Sequence, residues 1–388
     1  MKIAAVHNFL TQKRGAELAF FQMVLGLKKR GHEVDVYVFN ISDYFRDELN
    51  AREIPIISLN LEEHKQRNFI KGLFFYGKTY FALKKISGTI NRKYDVAFVH
   101  HYFLTPLILP FLTIPAVYYC QEVMRNSHEK IPGHIQQPLP VRIIETYIEQ
   151  HCVQFADLIL CNSDYMREVC MCVYGIFPVT IYLGADSVRF RNCRAARKNT
   201  VLSIGALTPL KNHDFVIRSI GNIPKKKRPN LLVVGNGSQS VISGLRTLAS
   251  TEGVELEIRT VVSDDDLITI YNSVRVTALA YTLEPFGLTA LESLACETPV
   301  VAVREGGLRE SVTPACGILT GRNEKEFAKA LEYILDNPEI AAEMGVRGRE
   351  RVKNFFSWDL CSAELDQQIH AVLDQKGSDT SRCHQSKI

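Results

Sequence analysis

The sequence predicts two successive doubly wound α/β domains. Three observations carry this. Apolar runs of strand length alternate with segments of helical period along most of the chain. The alternation breaks once, at the basic, patternless stretch 187–199, and then starts again. Finally, 388 residues exceed what one ordinary core accommodates. The expected division is 1–186 for the first domain, 187–199 for a linker and 200–355 for the second domain. A helix over 356–375 and a flexible tail over 376–388 complete it.

"KIAAVHNF" reads as the first buried strand, and its short apolar stretch, broken by His7 and Asn8, does not suit a signal peptide. "AELAFFQMVLGLKKRG" reads as a helix closed by Gly31. "EVDVYVFN", "DVAFVH", "PAVYYC" and "DLILCNS" are further strands, and "LPVRIIETYIEQHCVQFA" is a helix between the last two. Apolar strands separated by helices build a parallel sheet covered on both faces. Residues 101–121 are nearly free of charge, but Pro106, Pro110 and Pro115 interrupt them, which favours a buried loop, short helix and strand over a membrane span. After 199 come the strands "TVLSIG", "NLLVVG", "VELEIRTVV", "VTALAY" and "PVVAV". Helices such as "HDFVIRSIGNI", "SQSVISGLRTLAS" and "DLITIYNSV" lie between them. "WDLCSAELDQQIHAVL" is a last helix with one apolar face.

Composition bounds the function classes. The chain is 46% hydrophobic and 23% charged, hence globular, and a net charge of +4 does not argue for a nucleic-acid partner. The ten cysteines are scattered and hold no CxxC pair, so reduced thiols in a cytoplasmic protein are expected. His151, Cys152, Cys170 and Cys172 fit no common zinc spacing. In "SDDD", Asp264 and Asp266 suit a helix start capped by Ser263 better than a metal pair. Segment 62–86 mixes Lys71, Lys78, Lys84 and Lys85 with apolar residues at helical spacing. It reads either as a core-facing helix with a basic outer face or as a helix on a membrane surface.

The candidate chemistry sits in two stretches. In "EPFGLTALE", Pro285 and Gly287 precede a helix whose free N–H groups and dipole form an anion site. Glu284 at the loop edge and Glu292 inside the helix can accept hydrogen bonds from hydroxyls; two vicinal hydroxyls on one carboxylate is how a ribose is commonly held. Solvated surface glutamates are the plain alternative. In "IGALTPLKNHD", Gly205 and Lys211 flank a strand-to-helix loop. An ammonium ~4 Å from a phosphate oxygen contributes on the order of 4 kcal/mol at an effective dielectric of ~20. A plain surface lysine is the alternative. "QKRGAELAFF" opens the first helix at Gly15 but departs from GxGxxG, which weakens a nicotinamide reading. His100 and His101 end "DVAFVH" on the side where ligands of such sheets bind, either facing a ligand or bonded within the wall.

These residues resemble the retaining, nucleotide-sugar-dependent glycosyltransferases of GT-B fold, family 4, also called glycosyl transferases group 1. The resemblance is carried by Glu284 to Glu292 as an E-x7-E motif, by "SLACETPVVAVREGGLRESV", "IGALTPLKNHDFVI", "LLVVGNGS", "DDDLITIYNSV" and "YLGADSVRF". "RGAELAF", "KKRGHEVDVYV" and "FFSWDL" add to it, and it extends to about residue 372. It implies two Rossmann-like domains facing each other across a cleft, with the C-terminal helix crossing back to the first. It implies a UDP-, GDP- or ADP-sugar as co-substrate, no cofactor and no metal, and a glycan or lipid-linked acceptor. Catalytic roles fall on Glu284, Lys211 and Gln121. Donor contacts fall on Gly15, Gly205, Lys211, Phe286, Gly287, Leu288 and Glu292, and the acceptor side on His100 and His101. Apart from the resemblance, the scattered cysteines suit a cytoplasmic location, and the membrane-surface reading of 62–86 would add peripheral attachment to the membrane's cytoplasmic face. Two departures stand out: Gln121 replaces a histidine in "CQE" and cannot carry a proton, and Ala206 replaces an arginine, a loss Arg14 could offset. These departures motivate one rival, a non-catalytic nucleotide-sugar-binding or scaffold protein; another GT-B enzyme class, a sugar-nucleotide epimerase, is the second.

Overall fold

The computed structural model describes residues 1–61, 69–101, 104–128 and 139–385. The chain forms two compact units, Met1–Tyr182 with Trp358–Ile388, and Leu183–Ser357.

The first unit holds a seven-stranded parallel sheet. Its strands are β1 (Lys2–Leu10), β2 (Glu33–Ile41), β3 (Ile56–Ser58), β4 (Val96–His100), β5 (Ala116–Cys120), β6 (Leu158–Cys161) and β7 (Val179–Thr180). They lie in the order β3-β2-β1-β4-β5-β6-β7. Residues Ile3 to Leu10 are buried without alternation, as a central strand covered on both faces requires. The order reverses direction between β1 and β4, which register Ile3 to Val96 through Val6 to Val99. After β4, Thr105–Phe111 winds into a short 3-10 helix, and no helix among the described residues is long and apolar enough to cross a membrane.

The second unit repeats the plan with β8 (Lys198–Ile204), β9 (Asn230–Val234), β10 (Leu256–Arg259), β11 (Val274–Leu279), β12 (Val300–Val303) and β13 (Gly317–Thr320). The order is β10-β9-β8-β11-β12-β13, all parallel, and it reverses between β8 and β11. The stretch 187–199, expected to be a linker, is pinned to this unit. Cys193 N donates to Asn272 Oδ1 at 2.7 Å, and the Arg197 guanidinium donates to the carbonyls of Val274 (2.8 Å), Cys296 (2.9 Å) and Glu297 (3.0 Å).

The helix Trp358–Gln385 packs on the helix Gly15–Lys29 of the first unit. Residues 376–385, expected to be a frayed tail, continue it. No proline follows Trp358, and each further helical residue adds a hydrogen bond without a new nucleus. The contact is close because Gly26 lies beneath Ser362, where any Cβ would overlap the serine side chain. Arg30 donates to Asp359 O at 2.8 Å, and His32 Nε2 meets Asp366 Oδ1 at 2.7 Å. Gly26→Ala should therefore destabilise the first unit by roughly 1–3 kcal/mol, with Ser362→Gly restoring part of it. Urea titrations of the single and double variants check this; equal midpoints for Gly26→Ala and the parent would contradict the packing.

Candidate functional site

In the second unit the candidate residues gather at the carboxyl ends of β8 and β11, where the strand order reverses and ligands of such sheets bind. Gly205 follows β8 with φ +131°, and a Cβ there would lie 3.1 Å from Lys211 Cδ and 3.2 Å from Cγ. A bare backbone at 205 thus lets the lysine stem lie across it. His213 holds this turn, with Nδ1 2.8 Å from Ser203 Oγ and Nε2 3.2 Å from Gly205 O. The loop is tied to the end of β11 by Thr282 N donating to Leu210 O and Asn212 Nδ2 donating to Thr282 Oγ1, both at 2.8 Å.

The Lys211 ammonium donates to Glu284 Oε2 at 2.5 Å and lies 3.8 Å from the centre of the Tyr281 ring. Tyr281 is buried; its hydroxyl donates to Ile204 O and meets Thr289 Oγ1 at 3.0 Å. One phenol thereby joins β8, the lysine and the first turn of the helix Leu288–Ala295. Glu284 itself is fixed through its backbone. Gly307 N donates to Glu284 O at 2.9 Å. A Cβ on Gly306 would overlap that same carbonyl, and one on Gly307 would stand 2.6 Å from Phe286 Cα. Gly287, at φ +95°, is the N-cap of the helix, and a Cβ there would meet Leu308 Cδ2 at 2.6 Å. The Phe286 ring turns inward, 5.8 Å from Phe356, so Phe286 can offer a ligand backbone atoms only. The first N–H groups of a helix have no partner within it, which leaves Leu288 and its neighbours suited to an anion.

Glu292 accepts from Tyr271 OH at 2.9 Å. Burial pushes its carboxyl up to about 7; the Tyr271 hydrogen bond opposes the rise, Asp264 adds to it and Arg189 counters it. Arg189 pairs with Asp264 at 3.0 Å. Ser263 and Asp266 form a reciprocal capping box, as the helix-start reading of "SDDD" expects. Among the described residues no three His, Cys, Asp or Glu side chains group as a metal site. Cys170 is buried and Cys172 exposed.

In the first unit His100 ends β4 and His101 follows at φ +79°, a strained setting for a side-chain-bearing residue. His7 Nδ1 lies 3.2 Å from His100 Nδ1, His7 stacks on Phe20 and His100 on Tyr119. Burial pulls His7 and His100 well below the usual histidine range, helped by the neighbouring imidazoles, and takes His101 to about 3. The pair is therefore neutral, with one ring donating and the other accepting. Gln121 follows β5; it is buried, its carbonyl accepts from Asn162 Nδ2 at 2.8 Å, and its Oε1 has no partner among the described residues. Gly15 is the first residue of its helix.

The structure thus brings Gly205, Lys211, Glu284 and Gly287 together, and it adds residues the sequence reading passed over. Tyr281 and Tyr271 looked like strand and helix core. His7 carried a signal, a polar residue inside an apolar strand, as did the paired glycines of "REGGL".

Two family profiles tile this architecture: "Glycosyltransferase Family 4" matches residues 13–189 and "Glycosyl transferases group 1" matches 186–351. The chain belongs to this glycosyltransferase family. A D-inositol 3-phosphate glycosyltransferase of Kineococcus radiotolerans is 29% identical over 60% of this family member and 62% of its own length. One from Saccharomonospora viridis is 31% identical over 54% of each. The chain thus spans a little over half the length of those relatives. Among solved structures, sucrose-phosphate synthase from Thermosynechococcus elongatus superposes with a TM-score of 0.80 at 19% identity, covering 96% of this chain and 99% of that one. Anabaena HepE in complex with UDP gives 0.76 at 18%, covering 96% and 100%. The fold of this glycosyltransferase-family chain is accordingly the GT-B pair of Rossmann-like units.

The buried histidines carry a stability consequence. His213 is held at about 4, and His7, His100 and His101 also lie below their unfolded value of about 6.5. The unfolded chain then binds protons that the folded chain refuses. Stability is full above about pH 6.5 and falls as pH drops below it, by up to ~1.4 kcal/mol per pH unit for each histidine. Melting curves from about pH 7.5 to 5 should show a steep decline; a flat profile would contradict neutral burial.

Proposed function

We propose that this chain transfers a sugar from a nucleoside diphosphate sugar to a hydroxyl of a glycan or lipid-linked acceptor, with retained configuration and without a metal. The observation that carries this is the Lys211–Glu284 pair at the carboxyl ends of β8 and β11, beside the start of the helix Leu288–Ala295. The ammonium suits the diphosphate and the carboxylate suits sugar hydroxyls. Gly205 and the backbone of Phe286, Gly287 and Leu288 suit the phosphates, and Glu292 suits the ribose. In the step itself the bond from the anomeric carbon to the phosphate oxygen breaks. The acceptor oxygen bonds to that carbon on the same face, and the departing phosphate takes the acceptor's proton. Lys211 stabilises the charge that develops there. We assign the acceptor to the strand ends of the first unit that carry His100, His101 and Gln121; Gln121 can bond a hydroxyl but cannot move a proton. Gly15 keeps the start of its helix open to phosphate. An acceptor held at a membrane surface fits the basic segment 62–86, of which residues 62–68 lie outside those described. A cytoplasmic location with peripheral attachment goes with it. HepE complexes with UDP and UDP-glucose put uridine first among the donor bases.

A thermal-shift panel with UDP, GDP, ADP and their sugar derivatives tests the donor. One base should raise the melting temperature, since a ligand at ~100 times its dissociation constant adds about 2.7 kcal/mol. Glu292→Ala should weaken that ligand while the fold survives. No shift with any nucleotide would overturn the reading. The pH dependence is a separate expectation. Two ribose hydroxyls need an ionised Glu292, so binding releases a proton from a carboxyl near 7. Affinity should rise as much as about tenfold per unit between roughly pH 6 and 7, then level off. Glu292→Gln should abolish the slope; calorimetry at several pH values would show an unchanged slope if Glu292 plays no part.

A further inference from the structure

Two helices of the first unit turn large apolar side chains to solvent. On Phe69–Lys93, Phe74 is 77% and Phe81 69% exposed. On Leu139–Val153, Ile143 is 59% and Tyr147 68% exposed, one turn apart. The helices are neighbours: Tyr76 OH donates to Glu145 Oε1 at 2.6 Å, and both pack on the 3-10 helix Thr105–Phe111. Their opposite sides are the inward ones, with Thr79 and Leu83 on the first and Glu145 and Glu149 on the second all buried.

The charge on these outer faces has one sign. No Asp or Glu occurs from His64 to Tyr94, while Lys78, Lys84 and Lys85 are exposed. Both glutamates of the second helix point inward, Glu149 towards His128 at 2.8 Å. Exposed aromatic and aliphatic groups with lysines, on helices that turn no carboxylate of their own outward, match the boundary of an anionic bilayer. Acyl chains take the apolar groups there and headgroups the cations. A second copy of the chain would bring like charges together, so it fits less well.

We propose that the outer faces of these two helices form one surface that seats the first unit on an anionic membrane. The second helix, Leu139–Val153, supplies Ile143 and Tyr147 to it, and it carries none of the lysine-rich pattern by which segment 62–86 drew notice. This deepens the reading of a membrane-held acceptor, but its test needs neither donor nor acceptor, so its failure would leave sugar transfer untouched.

The experiment is co-sedimentation of the full chain with phosphatidylcholine vesicles, with and without phosphatidylglycerol. Variants are Phe74→Ser with Phe81→Ser, Ile143→Ser with Tyr147→Ser, and Lys78→Gln with Lys84→Gln and Lys85→Gln. All these side chains are exposed, and retained melting temperatures confirm folding. The parent should pellet with anionic vesicles and stay in solution with neutral ones. Each apolar pair should lower the partition about tenfold and the lysine triple about a hundredfold. Three results would overturn the proposal. The parent could stay in solution with anionic vesicles, or the Ile143/Tyr147 variant could bind as the parent does. Or sedimentation could reveal a dimer that the apolar substitutions dissolve, which would assign these faces to a second copy.

Discussion

The second unit depends on backbone meeting backbone without side chains between. Glu284 stands where it does because Gly306 and Gly307 let the loop after β12 lie against its carbonyl and against Phe286. Lys211 reaches it because Gly205 leaves room for the lysine stem. The charged pair results from these close approaches. Without them, two partly exposed side chains with many rotamers would spend little time together. Tyr281 then limits the lysine further, with its ring beneath the ammonium and its hydroxyl anchored on Ile204. Charge, aromatic face and helix terminus converge on one small region, where the ammonium and the carboxylate balance each other.

The first unit solves a different problem at the equivalent edge of its sheet. Three imidazoles share a space that excludes water, and they remain there by staying neutral. Neutral imidazole offers one donor and one acceptor, which suits hydroxyl groups and disfavours fixed charge. The left-handed backbone of His101 adds a local strain that the surrounding stacked rings hold in place.

Much of this was legible from the chain. Strands buried on both faces read as continuous apolar runs, so "KIAAVHNF" and "PVVAV" announced themselves, and two rounds of alternation announced two units. The pairing of Gly205 with Lys211 and of a turn glycine with Glu284 followed from loop chemistry. What stayed hidden arises from tertiary neighbours. Tyr281 has the sequence context of a core residue, and its role exists only because β8 lies beside β11. Arg197 looked like part of a loose linker; four carbonyls and a hydroxyl, supplied by residues 271–298, make it a fixture of the second unit. The outer face of Leu139–Val153 was hidden for the opposite reason, since its apolar residues have the period of an ordinary core helix.

The closing helix bears on synthesis. Arg30 donates to the Asp359 carbonyl across 329 positions of chain, so one flank of the helix Gly15–Lys29 is covered only by residues from far along the chain. On a ribosome, the whole of Leu183–Ser357 leaves the exit tunnel before Trp358 does. The second unit is contiguous and can condense as it emerges, whereas the first keeps that flank of its helix uncovered until Trp358 and the residues after it have emerged. The second unit can therefore be complete before the first is. A nascent chain halted before residue 358 presents to chaperones the flank that the finished protein conceals.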